Sequence, residues 1–327
     1  MSWVRRNGIS VAGTALVDTI CDIAAYPNCG ELTQIRGVER SVGGCVPNVT
    51  MDLKTIRPDL PVRAISKVGC DSNGEFLVKT LKQAGINCSG IAKSPEERTS
   101  FTNVMSVIGG QRTFFTYAGA CASFGHENVP FDDINSKILL LGYFLLLQKV
   151  DNGDGVQILR EAQQRGIKTA IDLVSENSNR YSLILPCLQF TDYLIVNEIE
   201  AGHLADMTPS DRNLPKIAER LRKLGVKEKV IIHKSDRALC LSDKGLSIVG
   251  SYELPSDYIK GTTGAGDAFC AGALIGLHSD WPDERILEFA SAAAAVSLSS
   301  ADAVSGLKSE EEILKICREW KRVPVCL

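Results

Sequence analysis

The chain has 327 residues, 44% of them hydrophobic, and a formal net charge of -3. That length and apolar content suit one large α/β domain or two small ones, and the near-neutral charge without a long basic run excludes a nucleic-acid or membrane-surface binder and favours a small neutral partner. No apolar run reaches the roughly eighteen residues of a membrane span, and the first seven residues are not followed by a signal-peptide core, so the expected compartment is the cytoplasm.

Residues 9–17 cluster apolar side chains (Ile9, Val11, Ala12, Ala15, Leu16, Val17) in the pattern of a buried strand that delivers Asp18 at its carboxyl end. In an α/β sheet that end is where ligands bind, although an Asp there also suits a plain turn. Residues 26–41 are polar, with Pro27, Asn28 and Gly30, and do not read as core. Gly43-Gly44 precedes a predicted helix through Val49, Leu53 and Ile56 with Pro47 in its first turn, so backbone amides and Asn48 are expected to face a ligand. Residues 62–68 read as a strand, followed by Gly69, Asp71 and Gly74 and an amphipathic helix stopping at Gly85; a tight turn and a cap account for them without chemistry. Residues 99–117 read as a hairpin turning at Gly109-Gly110.

Strands at 138–141, 168–173, 193–196 and 229–233 then alternate with helical patterns near 153–164, 180–188 and 217–224. Such alternation implies a mainly parallel sheet covered on both faces. At the end of the third of these strands stands Asn197-Glu198-Ile199-Glu200, whose acids suit a helix start. Further on, Gly261-Thr262-Thr263-Gly264-Ala265-Gly266-Asp267 runs into the small apolar stretch 268–275. Three glycines in six residues let a ligand approach the backbone, and a loop feeding a helix N-terminus turns free N–H groups toward an oxyanion. Gly264, Ala265 and Gly266 are therefore candidates for holding a phosphate under transfer. Asp267, with a reference pKa of about 3.9, is ionised at neutral pH and can take a hydroxyl proton, or it can simply cap the helix. A dinucleotide fingerprint is excluded because its third glycine falls on Phe269, and no Walker A sequence occurs. Two more helices are expected at 286–298, rich in alanine, and 310–320. The eleven cysteines form no C-x-x-C pair and the four histidines have no metal-ligand spacing.

The glycine-rich loop resembles the D-T-x-G-A-G-D signature of the ribokinase-like (PfkB-type) carbohydrate kinases, with Gly261 where that family has Asp. G-G-x-x-x-N at 43–48, V-G-x-D-x-x-G at 68–74 and N-x-x-E at 197–200 are similar to further family segments and stand in the family's order. The resemblance implies a ribokinase-like three-layer α/β fold with a mainly parallel central sheet and a small β lid. Residues 1–327 would be a single kinase domain with lid segments at about 19–41 and 97–118. It also implies transfer of phosphate from ATP, with Mg2+, to a primary hydroxyl of a sugar or sugar-like molecule. In that reading Asp267 is the base, and Gly264, Ala265 and Gly266 form the anion hole. Asp18, Gly43, Gly44 and Asn48 hold sugar hydroxyls; Thr262, Thr263, Lys234, Ser235 and Ala238 border the nucleotide; Asn197 and Glu200 organise magnesium through water. A second copy would pair through the lid. Ser235 and Ala238 replace glycines of the family, and Cys45 or Val46 replaces a lysine and Cys121 an asparagine of ribokinases near the sugar. In many members the Asp at position 261 helps coordinate potassium, so with glycine there little potassium dependence is expected. The alternatives are a nucleoside kinase on the same fold and a non-catalytic sugar- or nucleotide-binding regulator.

Overall fold

The computed structural model describes residues 6–107, 112–176, 179–255, 257–300 and 305–325. The first third of the chain carries β1 (Ile9–Gly13), β2 (Leu16–Ile23), β3 (Ile35–Gly43), α1 (Cys45–Ile56), β4 (Val62–Gly69), α2 (Ser72–Gln83), β5 (Asn87–Ser94), β6 (Phe101–Val107) and β7 (Arg112–Tyr117). The middle carries β8 (Ile138–Phe144), α3 (Gly155–Gln164), β9 (Lys168–Leu173), α4 (Leu185–Leu188), β10 (Tyr193–Asn197), α5 (Glu198–Ala205), α6 (Leu214–Lys223) and β11 (Lys229–His233). β12 (Arg237–Ser242), β13 (Gly245–Gly250), α7 (Ala265–His278), α8 (Asp283–Ser297) and α9 (Glu310–Glu319) complete it.

Nine strands form one sheet in the order β13-β12-β11-β10-β9-β8-β1-β4-β5. The run from β11 to β5 is parallel, and β12 and β13 add an antiparallel edge. Successive residues of a strand point to opposite faces, and a sheet covered on both sides needs both sets apolar. Along β8, Ile138 and Leu140 join the core under α1, α7 and α8, while Leu139 and Leu141 join the core under α3, α5 and α6. The result is three layers, as the alternation of strand and helix predicts. α7 and α8 lie especially close: a Cβ added at Gly272 would sit 2.8 Å from Ala290 Cα, so the alanines of α8 serve helix packing. No helix among the described residues is long and apolar enough to cross a membrane.

The first strand differs from expectation. The apolar run 9–17 is split: the backbone turns at Gly13 (φ 145°), and Leu16 starts a strand of a second, four-stranded sheet ordered β3-β2-β6-β7. Both sheets bury apolar residues, so hydrophobicity alone hides the change of sheet. Asp18 consequently lies within β2 of the small sheet, paired with Ser41 and Thr102, and not at the end of β1. The small sheet is mixed, with β2 and β6 parallel and the outer pairs antiparallel. Its β6–β7 hairpin is present, while the Gly109-Gly110 turn lies outside the described residues. Asp71 caps α2 by accepting from the Gly74 amide (2.9 Å) and also fixes Thr99, the structural role its sequence context suggests.

Candidate active site

In an open α/β sheet, ligands bind beyond the carboxyl ends of the strands where the strand order reverses. Here the order reverses between β1 and β8, since β1, β4 and β5 progress to one side and β8, β9, β10 and β11 to the other. The carboxyl ends of those last four strands supply Tyr143, Asp172, Asn197 and His233, and all four line one cleft with Gly264, Gly266 and Asp267 at the start of α7.

Asp267 is the third residue of α7 and does not cap it. The N-cap is Gly264, in the left-handed region at φ 81°, with no side-chain cap bond. The carboxylate is held from outside α7: its Oδ2 accepts from Asn48 Nδ2 and from the Tyr143 hydroxyl, each at 2.9 Å. Its Oδ1 accepts no hydrogen bond among the described residues. Burial pushes the pKa of Asp267 up to about 6 against the lowering effect of those two donors. The amides of Gly266 and Asp267 have no protein partner among the described residues, as the first turn of a helix requires when nothing caps it. A buried carboxylate therefore stands beside two open N–H groups at the positive end of a 14-residue helix.

Asn48 reaches this point because α1 packs on α7. Its amide nitrogen is spent on Asp267, while Oδ1 is buried without a partner. Asp18 and Gly43 are in contact: the Asp18 Oδ2 lies 2.2 Å from where a Gly43 Cβ would be, so only glycine leaves room for the carboxylate. Burial raises Asp18 to about 6, opposed by a hydrogen bond from Thr102. Gly44, at φ 87°, starts α1, but its helix end is not open. The Cys45 and Val46 amides donate to Thr14 Oγ1 (3.1 Å) and Thr14 O (2.9 Å), which corrects the expectation that these amides face a ligand.

Asn197 and Glu200 form a capping box on α5. Asn197 Oδ1 accepts from the amides of Ile199 and Glu200 (2.9 Å each), and Glu200 Oε2 accepts from the Asn197 amide (3.0 Å). Ser175 joins them, donating to Glu200 Oε1 (2.8 Å) and accepting from Asn197 Nδ2 (2.8 Å). Of the remaining sequence candidates, Thr262 and Thr263 are exposed in the loop before α7, Ala265 is its first helical residue and Ser235 is exposed. Lys234 is held by Asp211 (2.9 Å) and Asp236 (3.2 Å), and Ala238 is buried in β12 opposite His233. None of these six lines the cleft, and neither do Asp18, Gly43, Gly44 and Asn48, of which Asn48 is joined to it through Asp267.

Three titratable residues of the cleft carry no motif in the sequence. Asp172 is held well above the usual carboxylate range by burial and then by Asp267 and Glu200. His233 stacks on Phe269 (centroids 4.6 Å apart), and burial pushes it down to about 4, so it is neutral at pH 7. Tyr143 has the unusual φ of 59°. Their only signal is position, each lying at or near the end of a strand in the alternating part of the chain. Cys121 is buried, with its thiol between the Ala15 N–H (3.4 Å) and Ala15 C=O (3.3 Å).

Residues 9–310 match the family described as pfkB family carbohydrate kinase, so the chain belongs to the pfkB family. It is a carbohydrate kinase, a phosphotransferase with an alcohol acceptor. It is 25% identical over 290 residues to the 5-dehydro-2-deoxygluconokinase of Geobacillus kaustophilus, covering 84% of each chain. Among solved structures it resembles the Arabidopsis thaliana ribokinase complexed with ribose and ATP (TM-score 0.82, 21% identity, 96% and 99% of the two chains). It also resembles the Burkholderia thailandensis nucleoside kinase in complex with inosine (TM-score 0.75, 18% identity, 95% and 96%).

Proposed function

We propose that this protein transfers the γ-phosphoryl group of ATP to a primary hydroxyl of a sugar or sugar-like molecule. The observation that carries this reading is the unspent Oδ1 of Asp267 beside the open amides of Gly266 and Asp267. The acceptor hydroxyl gives its proton to Oδ1 as its oxygen bonds to phosphorus, and the bond from phosphorus to the ADP oxygen breaks. The amides of α7's first turn meet the charge on the phosphoryl oxygens, and the imidazole of His233 adds a donor on the same side of the cleft. Asp18 and the buried, unpartnered Oδ1 of Asn48 accept hydrogen bonds from the other hydroxyls of the acceptor. A substrate lacking those hydroxyls would leave buried acceptors empty, which is a strong basis for rejection.

The residues fit a magnesium ion held indirectly. Asp172, Glu200 and Asp267 line the cleft with no lysine or arginine among its lining residues, an acid-rich setting that suits a hard cation. Glu200 has both oxygens engaged, and no three acid, His or Cys side chains among the described residues converge to ligate a metal directly. Asn197 and Glu200 would therefore hold the ion through water, with Asp172 facing it. When bound, Mg2+ neutralises phosphate charge and aligns the nucleotide.

The small sheet would act as a lid of this single domain, excluding water that competes with the acceptor hydroxyl. Ile35, Val38, Phe114 and Phe115 on that sheet are 48–66% exposed, a surface suited to pairing with a second copy. All cysteines among the described residues are free, in keeping with a reducing cytoplasm. The test is ADP release measured over a panel of pentoses, hexoses, deoxy-sugars and nucleosides with ATP and Mg2+. Turnover with one sugar class supports the proposal, turnover confined to nucleosides replaces it with a nucleoside kinase, and nucleotide binding without turnover would make the protein a regulator.

A further inference from the structure

The bond between Tyr143 and Asp267 is built by an irregularity in the sheet. β8 and β9 are in register up to Leu141 and Ile171, and resume at Phe144 and Leu173, so Gly142 and Tyr143 together stand opposite Asp172. This is a bulge, a device that re-aims a side chain at the end of a strand. Tyr143 adopts φ 59° and Leu145 φ 77°, conformations that bulky L-residues rarely hold unless the surroundings over-determine them. They are over-determined here. The Leu145 N–H donates to Asp151 Oδ1 (2.8 Å), the Leu145 C=O accepts from Arg180 Nη2 (2.7 Å), and the Leu145 side chain is buried. Gly142 is compelled too, because a Cβ there would fall 2.1 Å from Cys45 Sγ. The strained segment delivers one polar atom into the cleft, the Tyr143 hydroxyl, and places it on Asp267 Oδ2.

We propose that Tyr143 is a positioning residue for the base: together with Asn48 it immobilises Oδ2 of Asp267, so that Oδ1 alone receives the acceptor's proton. This rests on the kinase reading for its catalytic consequence, though not for the tether itself. A carboxylate free to rotate presents either oxygen in many directions; one fixed through Oδ2 by two donors presents Oδ1 in one, which is what a proton transfer in line with phosphoryl transfer requires. The phenol also donates better to the ionised than to the protonated carboxylate, and so counters the desolvation of a base inside the fold. The groups facing this pair from the surrounding elements are Asp172 on β9, Glu200 on α5, Cys45 on α1, Cys270 on α7 and His233 on β11. None of them donates a hydrogen bond to Asp267 among the described residues, so Asn48 and Tyr143 carry the tether.

The experiment is Tyr143→Phe, which removes one oxygen and keeps the ring. The Asp267 carboxyl is titrated directly by carbon NMR on aspartate-labelled protein, its resonance assigned by its loss in Asp267→Asn. The apparent pKa of Asp267 is expected to rise by about half a unit to one unit in Tyr143→Phe, on the order of one lost hydrogen bond to an ionised group. With the best acceptor from the panel, kcat at pH 7 should fall about threefold to thirtyfold, with the acid limb of the kcat profile moved to higher pH and the ATP KM within about twofold. An unchanged carboxyl titration overturns the proposal. So does a variant that only melts earlier while its kcat profile stays in place, since that is the mark of a packing residue. If the wild-type protein turns over no acceptor while the titration shifts as expected, the kinase reading fails and the tether stands.

Discussion

Two helix N-termini lie side by side in this molecule and look alike on paper. α1 begins at Gly44 (φ 87°) and α7 at Gly264 (φ 81°), both without a side-chain cap, and the two helices pack on each other. The macrodipole makes each end electropositive to a similar degree. What separates them is the fate of their amides. Thr14 takes the Cys45 and Val46 N–H groups of α1 with its hydroxyl and carbonyl, whereas nothing among the described residues takes those of Gly266 and Asp267 in α7. A glycine-rich helix entrance becomes an anion site only where the protein leaves its donors unspent. By that measure the proposed phosphate site belongs at α7, while α1 serves to place Asn48 against Asp267.

The sharpest way to break the contrast is Asp267→Asn. It keeps the shape of the α7 entrance and the donors of Asn48 and Tyr143, and removes the proton acceptor. Turnover is expected to fall about 10² or more while ATP and acceptor binding stay within a few fold. A variant that retains turnover would leave Asp267 a merely structural neighbour. Because Asp267 is raised to about 6, wild-type turnover should decline as pH drops through that value, as the base is protonated. Stability runs the other way. The folded carboxyl binds its proton between about 6 and the unfolded value near 3.9, so its stabilising contribution is complete below that lower value and is lost as pH rises through about 6. Asp267→Asn should then be more stable than wild type by about 1–3 kcal/mol at pH 7.5 and show no such gain at pH 4, measured by urea denaturation at both.

Paired alanine substitutions sharpen the same contrast at smaller scale. A Cβ at Gly266 meets nothing nearer than His233 Cε1 at 4.0 Å, so the protein accommodates it, but it occupies the space beside the open amides. Gly266→Ala should lower kcat/KM for ATP by roughly tenfold with little change in melting temperature. At Gly44 a Cβ would sit 2.9 Å from the Thr14 carbonyl oxygen at a left-handed φ. Gly44→Ala should therefore cost about 1–2 kcal/mol of stability and leave the ATP KM alone. The opposite assignment of effects would show that α1, not α7, meets the nucleotide.

Much of this arrangement is legible in the sequence, for reasons of period and spacing. The parallel sheet shows in the regular alternation of short apolar strands with amphipathic helices, and the α7 entrance shows in Gly264-Ala265-Gly266-Asp267. Fates of single atoms are not written there. That the Cys45 amide ends on Thr14, or that Asp267 leans on Asn48 and Tyr143, depends on contacts across 31, 219 and 124 residues. Tyr143 joins the site only through a bulge, and a bulge has no pattern of its own in 141–144. The passage from β1 to β2 was hidden for the converse reason: Ala15, Leu16 and Val17 satisfy the apolar demand of either sheet.

The smallest effect expected concerns Gly261, where the resemblance leads one to expect an aspartate that helps hold potassium beside the anion site. Glycine keeps a carbonyl but has no carboxylate, and a monovalent ion needs several oxygens around it. Losing the one anionic oxygen weakens such a site most, because the remaining neutral carbonyls must replace the ion's water shell without a countercharge. Lys260 next to it is exposed, and like-charge repulsion from its ammonium would work in the same direction, although weakly through solvent. The loop has another support in this chain: the Lys260 amide donates to the Leu298 carbonyl (2.8 Å), which pins the approach to α7 from the end of α8. Turnover should therefore change by less than about twofold when potassium is replaced by tetramethylammonium at constant ionic strength, since the larger cation screens charge as well but cannot enter a site of that size. A severalfold recovery on restoring potassium would show that neutral oxygens alone complete the site, and that the α7 amides act on phosphate with a cation's help after all.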